Sequence, residues 1–261
     1  MRIKLPFLIL IVLLMAGVGL AQSPAAIEKL LLQQLDEVSK NGSYAGEYNA
    51  EKLDAANRQV KDLLMRNGRS LAILKYAFPK LKEKMYVATS ADGKLRIYSW
   101  DLEDGGTMHD FANVFQYQGK SGKVYVWADA SGDEGGGPFY TQIFQLPTRN
   151  GPIYLASSTF IASSSLNGQT LKAFRIDREK LDRQAKVIKT SSGITDNVGF
   201  AYDFFSVVDR PERPVELFSF DAAKTEFRFP VVIEDDKTPQ GRVTDKFITY
   251  RFNGKYFVKV M

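Results

Sequence analysis

The sequence predicts a mainly β protein, an antiparallel meander or sandwich-like body or else a small propeller-like one, behind an N-terminal helical segment. Three observations predict it. Aromatic residues are abundant, 18 Phe and 12 Tyr in 261 residues, and such side chains suit the half-buried pleated surface of a strand. Near Met85 the spacing of apolar residues changes from helical recurrence to simple alternation. Finally, Asp92-Gly93, Asn150-Gly151, Asn167-Gly168 and Asn253-Gly254 each stand between or before alternating runs, where such pairs fit the positive-φ positions of tight hairpin turns.

Residues 1–21 read as a cleavable secretory signal. Arg2 and Lys4 supply the charge, Leu5 to Leu20 the apolar run and Gly19-Leu20-Ala21 the small residues a signal peptidase needs, so the mature chain is expected to begin at Gln22. The rival is an uncleaved anchor, but the run is shorter than the roughly 20 apolar residues that span a bilayer. No stable membrane anchor is expected after cleavage. With no cysteine, attachment of lipid through a thiol is excluded, as are disulfides, thiol nucleophiles and zinc–thiolate sites.

Residues 22–83 form the expected helical segment. Ser23-Pro24 makes an N-cap and first turn for Ile27, Leu30, Leu31 and Leu35, and Asn41-Gly42 ends that helix. A second runs from about Asn49, with Leu53, Ala56, Val60, Leu63 and Leu64 on one face, to Asn67-Gly68. Ser70 opens a short third, closed before or at Pro79.

Residues 84–261 form the antiparallel β domain. Besides the four turn pairs above, looser hairpins are expected around Gly119 to Gly122 and Asp221 to Thr225, and Phe227, Phe229, Val231 and Ile233 alternate onto one face. About a dozen strands result, at five or six residues each plus a turn. The strand-end tetrads YSWD, VWAD, FRID and FSFD would suit propeller blades, yet no repeat of regular length accompanies them.

The segment TSADGKLRIYSWDLEDGGTMHDFANVFQY (residues 89–117) and the closing KFITYRFNGKYF together resemble a family of exported bacterial proteins with no characterised activity. The resemblance covers most of the mature chain on two motifs. It implies export and a β-rich body, and it assigns no catalytic or binding residue.

The formal charge is +5, and loss of Arg2 and Lys4 leaves 33 basic against 30 acidic residues, +3, too mild a balance for a nucleic-acid partner. His109 is the only histidine, so a multi-imidazole zinc site is impossible, and no G-x-S-x-G elbow accompanies it. It follows Gly105-Gly106 beside Asp110, which allows either a carboxylate-oriented imidazole or a histidine bonded to backbone in a long connection. Trp100-Asp101 and Trp127-Ala128-Asp129 end two strands alike; on one rim they would form a glycan or peptide platform of flat rings and acceptors, against the commoner roles of core Trp and turn-capping Asp. The loop Asp129 to Gly137 resembles a calcium loop, but its glycine falls one place late and Tyr140 stands where an acid should close it.

These observations lead to an exported, non-catalytic binding or structural protein of the cell envelope, its partner an envelope ligand of glycan or peptide type. Its candidate ligand-binding residues are Trp100, Asp101, His109, Trp127 and Asp129; no catalytic residue, metal or cofactor is nominated. The alternative is a hydrolase acting through paired carboxylates on glycans or peptides outside the cytoplasm. Two acids facing each other in a pocket, one with a raised pKa, would favour it.

Overall fold

The computed structural model describes residues 22–44, 47–129 and 137–260. The expected signal segment and residues 130–136 of the loop likened to a calcium site therefore lie outside the described residues. Among those described, three α-helices come first: α1 (Pro24–Asn41), α2 (Ala50–Asn67) and α3 (Leu71–Lys75). The Ser23 hydroxyl and the Asn49 side chain accept backbone N–H bonds at the starts of α1 and α2, as N-caps do. No described helix is long and apolar enough to cross a membrane.

Fifteen strands follow among the described residues. In chain order they are β1 (Tyr86–Thr89), β2 (Leu95–Asp101), β3 (Phe111–Gln118), β4 (Val124–Ala128), β5 (Phe139–Leu146), β6 (Ile153–Ile161), β7 (Leu166–Asp177), β8 (Lys180–Asp182), β9 (Ile188–Thr190), β10 (Gly193–Thr195), β11 (Asn197–Asp203), β12 (Ser219–Asp221), β13 (Glu226–Asp235), β14 (Thr238–Phe252) and β15 (Phe257–Lys259). They form three sheets, ordered β1-β2-β3-β4, β11-β7-β6-β5 with β8 on β7, and β10-β9-β15-β14-β13-β12. All pairings are antiparallel except β9 with β15, where Phe257 lies against Ile188. The fold is thus sandwich-like rather than radial, but with one layer more than a two-sheet sandwich.

The layers follow from the two faces of each strand. On β2 and β3, Tyr98, Trp100, Ala112 and Val114 meet Ile27, Leu31, Val60 and Leu64 of the helices. The alternate residues Leu95, Ile97, Phe115 and Tyr117 meet Tyr140, Ile143, Tyr154 and Phe174 of the second sheet. That sheet turns Ile153, Leu155, Leu171 and Ala173 the other way, onto Phe218, Phe227, Phe229 and Phe257 of the third. Helices, first sheet, second sheet and third sheet stack in that order. The two inner sheets are covered on both sides, so β2 and β6 are buried almost throughout, their polar members Arg96, Ser99, Ser157, Ser158 and Thr159 included.

Polar groups secure the helices to the first sheet. Arg96, 5% exposed, donates from Nη1 to the carbonyls of Ile73 (3.1 Å) and Tyr76 (2.8 Å) at the end of α3, and from Nε to Thr89. Gln116 donates to the Gly68 carbonyl beyond α2 at 2.7 Å and accepts from the Tyr98 hydroxyl. The sheet side chains thus satisfy orphan carbonyls at the negative ends of two helices.

Two sequence expectations need correction. Asn167-Gly168 is not a turn: both residues lie inside β7, and a Cβ on Gly168 would stand 2.2 Å from the Phe160 ring, so glycine serves close approach there. The face of β13 also breaks. Phe227 and Phe229 are buried as expected, but a bulge between Pro230 and Val232 carries Val232 into the apolar cluster with Val243 and leaves Ile233 40% exposed.

Candidate functional site

β2 and β4 both run antiparallel to β3, so their ends reach the same end of the sheet, beside Phe111 and Asn113. The two Trp-Asp ends do not present a common platform. Trp100 is 2% exposed, faces the helices and donates from Nε1 to Asn57 Oδ1 at 2.9 Å. Trp127 projects from the opposite face, 5.1 Å from the Phe115 ring, under the guanidinium of Arg183 at 3.8 Å. Asp129 donates its backbone N–H to the Asn113 carbonyl at 2.9 Å and borders the residues left undescribed.

Asp101 and His109 do come together. Asp101 Oδ2 lies 2.5 Å from His109 Nδ1, and Asp101 Oδ1 accepts the Glu103 backbone N–H at 2.8 Å. The chain between them folds back through a bond from the Leu102 N–H to the Asp110 carbonyl. His109 donates its own N–H to the Ile161 carbonyl of the second sheet. The lone histidine is therefore oriented both by a carboxylate and by the backbone.

A row of rings leads inward from this pair. Tyr44, 48% exposed, stacks on His109 at 4.9 Å, and His109 stands 6.2 Å from Phe111. Phe111 meets Phe139 at 4.6 Å, and Phe139 stacks on Tyr86 at 4.2 Å. The Asp101 carboxylate helps burial push both the Tyr44 and Tyr86 phenols up. Asp104, on the same loop, has its carboxyl held above the usual range by burial, then by the Asp110 and Asp101 charges.

Tyr86 and Phe139 in turn line a cavity of about 320 Å³, completed by Asn167, Tyr202, Phe204 and Arg213. Register makes this cavity: Asn167 of β7 pairs with Ile161 of β6 on one side and Tyr202 of β11 on the other, so all three turn to one face. Gln169 fixes the outer wall, donating to the Val215 carbonyl at 2.6 Å and accepting the Leu217 N–H at 2.9 Å. Asn167 is 8% exposed, yet its Oδ1 has no hydrogen-bond partner. A buried amide oxygen left so costs about 1–3 kcal/mol, and the Asn167 amide also lies beside the Tyr202 hydroxyl in the cavity wall.

Of the five candidate residues, Asp101 and His109 lie together at this end of the fold, and none of the ten residues that line the cavity was among them. The signal for Asn167 was visible but was read as a turn. Among the described residues, no group of three or more His, Asp or Glu is placed to hold a metal ion. No known protein family, curated protein or solved structure matches the chain.

Proposed function

We propose that the chain is an exported, non-catalytic binding protein of the cell envelope, and that a glycan or peptide seats in the aromatic cavity beside Asp101 and His109. The ring-lined cavity with Asn167 in its wall carries this proposal. Rings along one wall offer flat apolar faces to a sugar or side chain, while Asn167 and Arg213 add polar groups to the same lining, the mixture that small-ligand sites use. A glycan and peptide panel tests it, read by binding to the full mature chain and to Asn167→Ala and Tyr86→Ala variants. Ligands bound by the parent and lost at least about tenfold in both variants are expected, since each removes a pairing worth one to a few kcal/mol. Binding that ignores both substitutions would refute it.

The hydrolase alternative has one observation in its favour: the raised Asp104 carboxyl with Asp110 and Asp101 near it. Hydrolysis of a glycan or peptide by the pure protein, abolished in Asp104→Asn, would replace the binding proposal.

A further inference from the structure

The end of the stack away from His109 has the opposite character. Two adjoining cavities of about 700 and 430 Å³ open there, sharing Arg149 and Asn150 of the turn between β5 and β6. Arg149, Arg175 and Lys255 line the first; Lys94, Lys120, Arg149 and Arg178 line the second. From Pro152 to Ile161 along β6 is nine residues, or about 30 Å, so these cavities are remote from the aromatic one.

Six cations thus face two cavities whose linings hold a single carboxylate, Asp177. Among the described residues none of the six takes part in an ion pair. Arg175 Nε is buried with no hydrogen-bond partner. Asp182 stands opposite Arg175 on β8 and accepts the Gln184 N–H, and two further acids, Asp92 and Glu179, are engaged elsewhere. Asp92 accepts from the Tyr154 and Ser90 hydroxyls and the Lys94 N–H, and Glu179 accepts from Ser121 and Tyr125.

Concentrating like charges in a concavity opposes folding by self-repulsion and focuses a positive potential outward. Set against Asp177 and against Asp182 opposite Arg175, the six cations leave four uncompensated. Two carboxylates or sulfates would cancel two of these; two phosphate monoesters, at about −1.5 to −2 each, would cancel three to four. Arginine forks also match phosphoryl oxygens in pairs.

We propose that this basic end binds a ligand carrying at least two phosphoryl groups, one in each cavity with Arg149 between them. The site is separate from the aromatic cavity and does not depend on what that cavity binds.

Calorimetric titration of the mature chain with sodium tripolyphosphate and with orthophosphate tests the site. One saturable tripolyphosphate site is expected, at least about tenfold tighter than orthophosphate and weakening steadily with added salt. Arg149→Gln and Lys255→Gln, both at surface turns, should each weaken it about three- to tenfold with melting temperature unchanged, whereas Lys52→Gln on α2 should not. Co-sedimentation with phosphatidic acid–phosphatidylcholine vesicles distinguishes the sources: vesicle binding lost in Arg149→Gln assigns a lipid headgroup, its absence a soluble phosphoryl chain. Failure to saturate with tripolyphosphate would overturn the proposal. So would equal weakening by all three variants, or none by Arg149→Gln.

Discussion

The indoles of Trp100 and Trp127 stand on opposite faces of one sheet, the first against α2 through Asn57 and the second beneath the Arg183 guanidinium. Their fluorescence should therefore respond differently to a collisional quencher. In Trp127→Phe, which retains Trp100, iodide should quench several-fold less than in Trp100→Phe, where Arg183 draws the anion to the remaining indole. Equal quenching would place both rings in like surroundings.

Arg96 holds helix-end carbonyls without any carboxylate partner. Arg96→Ala strands those carbonyls and opens a void beside Phe78 and Tyr98. A loss of about 2–4 kcal/mol in urea unfolding is expected. A loss below about 1 kcal/mol would mean that water replaces the guanidinium readily.

Gly168 leaves room for the Phe160 ring. Gly168→Ala should cost about 1–3 kcal/mol, and pairing it with Phe160→Ala should cost clearly less than the two single losses added. Simple additivity would show that the two positions do not compete for the same space.

Asp104 gives a pH dependence of known sign. Its folded-state pKa is raised, first by burial and then by Asp110 and Asp101, so the protonated form is the one the fold favours. That contribution is complete below about pH 4, where the carboxyl is protonated in both states, and is lost as pH rises through the folded value. Asp104→Asn should raise the melting temperature at pH 7 by about a degree or two, a discounted figure for a half-exposed group, and the gain should vanish near pH 4. A gain that grows on acidification would reverse the sign.

Much of this architecture was legible because local chemistry announces itself. Ser23, Asn49 and the Asn-Gly or Asp-Gly pairs at Asp92, Asn150 and Asn253 each mark a cap or turn, and Gly254, at φ 97°, occupies the left-handed region its turn requires. Asn167-Gly168 has the same composition for a different reason, close packing under Phe160, which no local pattern separates from a turn. The stacking of three sheets was hidden too. The two-sided burial of β2 and β6 is masked by their polar members, Arg96, Ser99, Ser157, Ser158 and Thr159, and which sheet covers which face depends on pairings between residues far apart in sequence. The Asp101–His109 pair was not legible: the sequence sets His109 beside Asp110, and the pairing of β2 with β3 brings Asp101 to it instead. Nor was the cavity around Asn167, because its wall combines β1, β5, β6, β7, β11 and the segment after β11.

The most direct measurement is a chemical-shift map of the isotope-labelled chain from Gln22 onward, titrated with a glycan or peptide selected from the panel. The Asn167 side-chain amide and the Tyr86 and Phe139 ring signals should move together and saturate, while Asn150 and Gly254, at the far end of the stack, stay still. Shifts at the far end alone, or none at Asn167, would contradict a ligand site in the aromatic cavity.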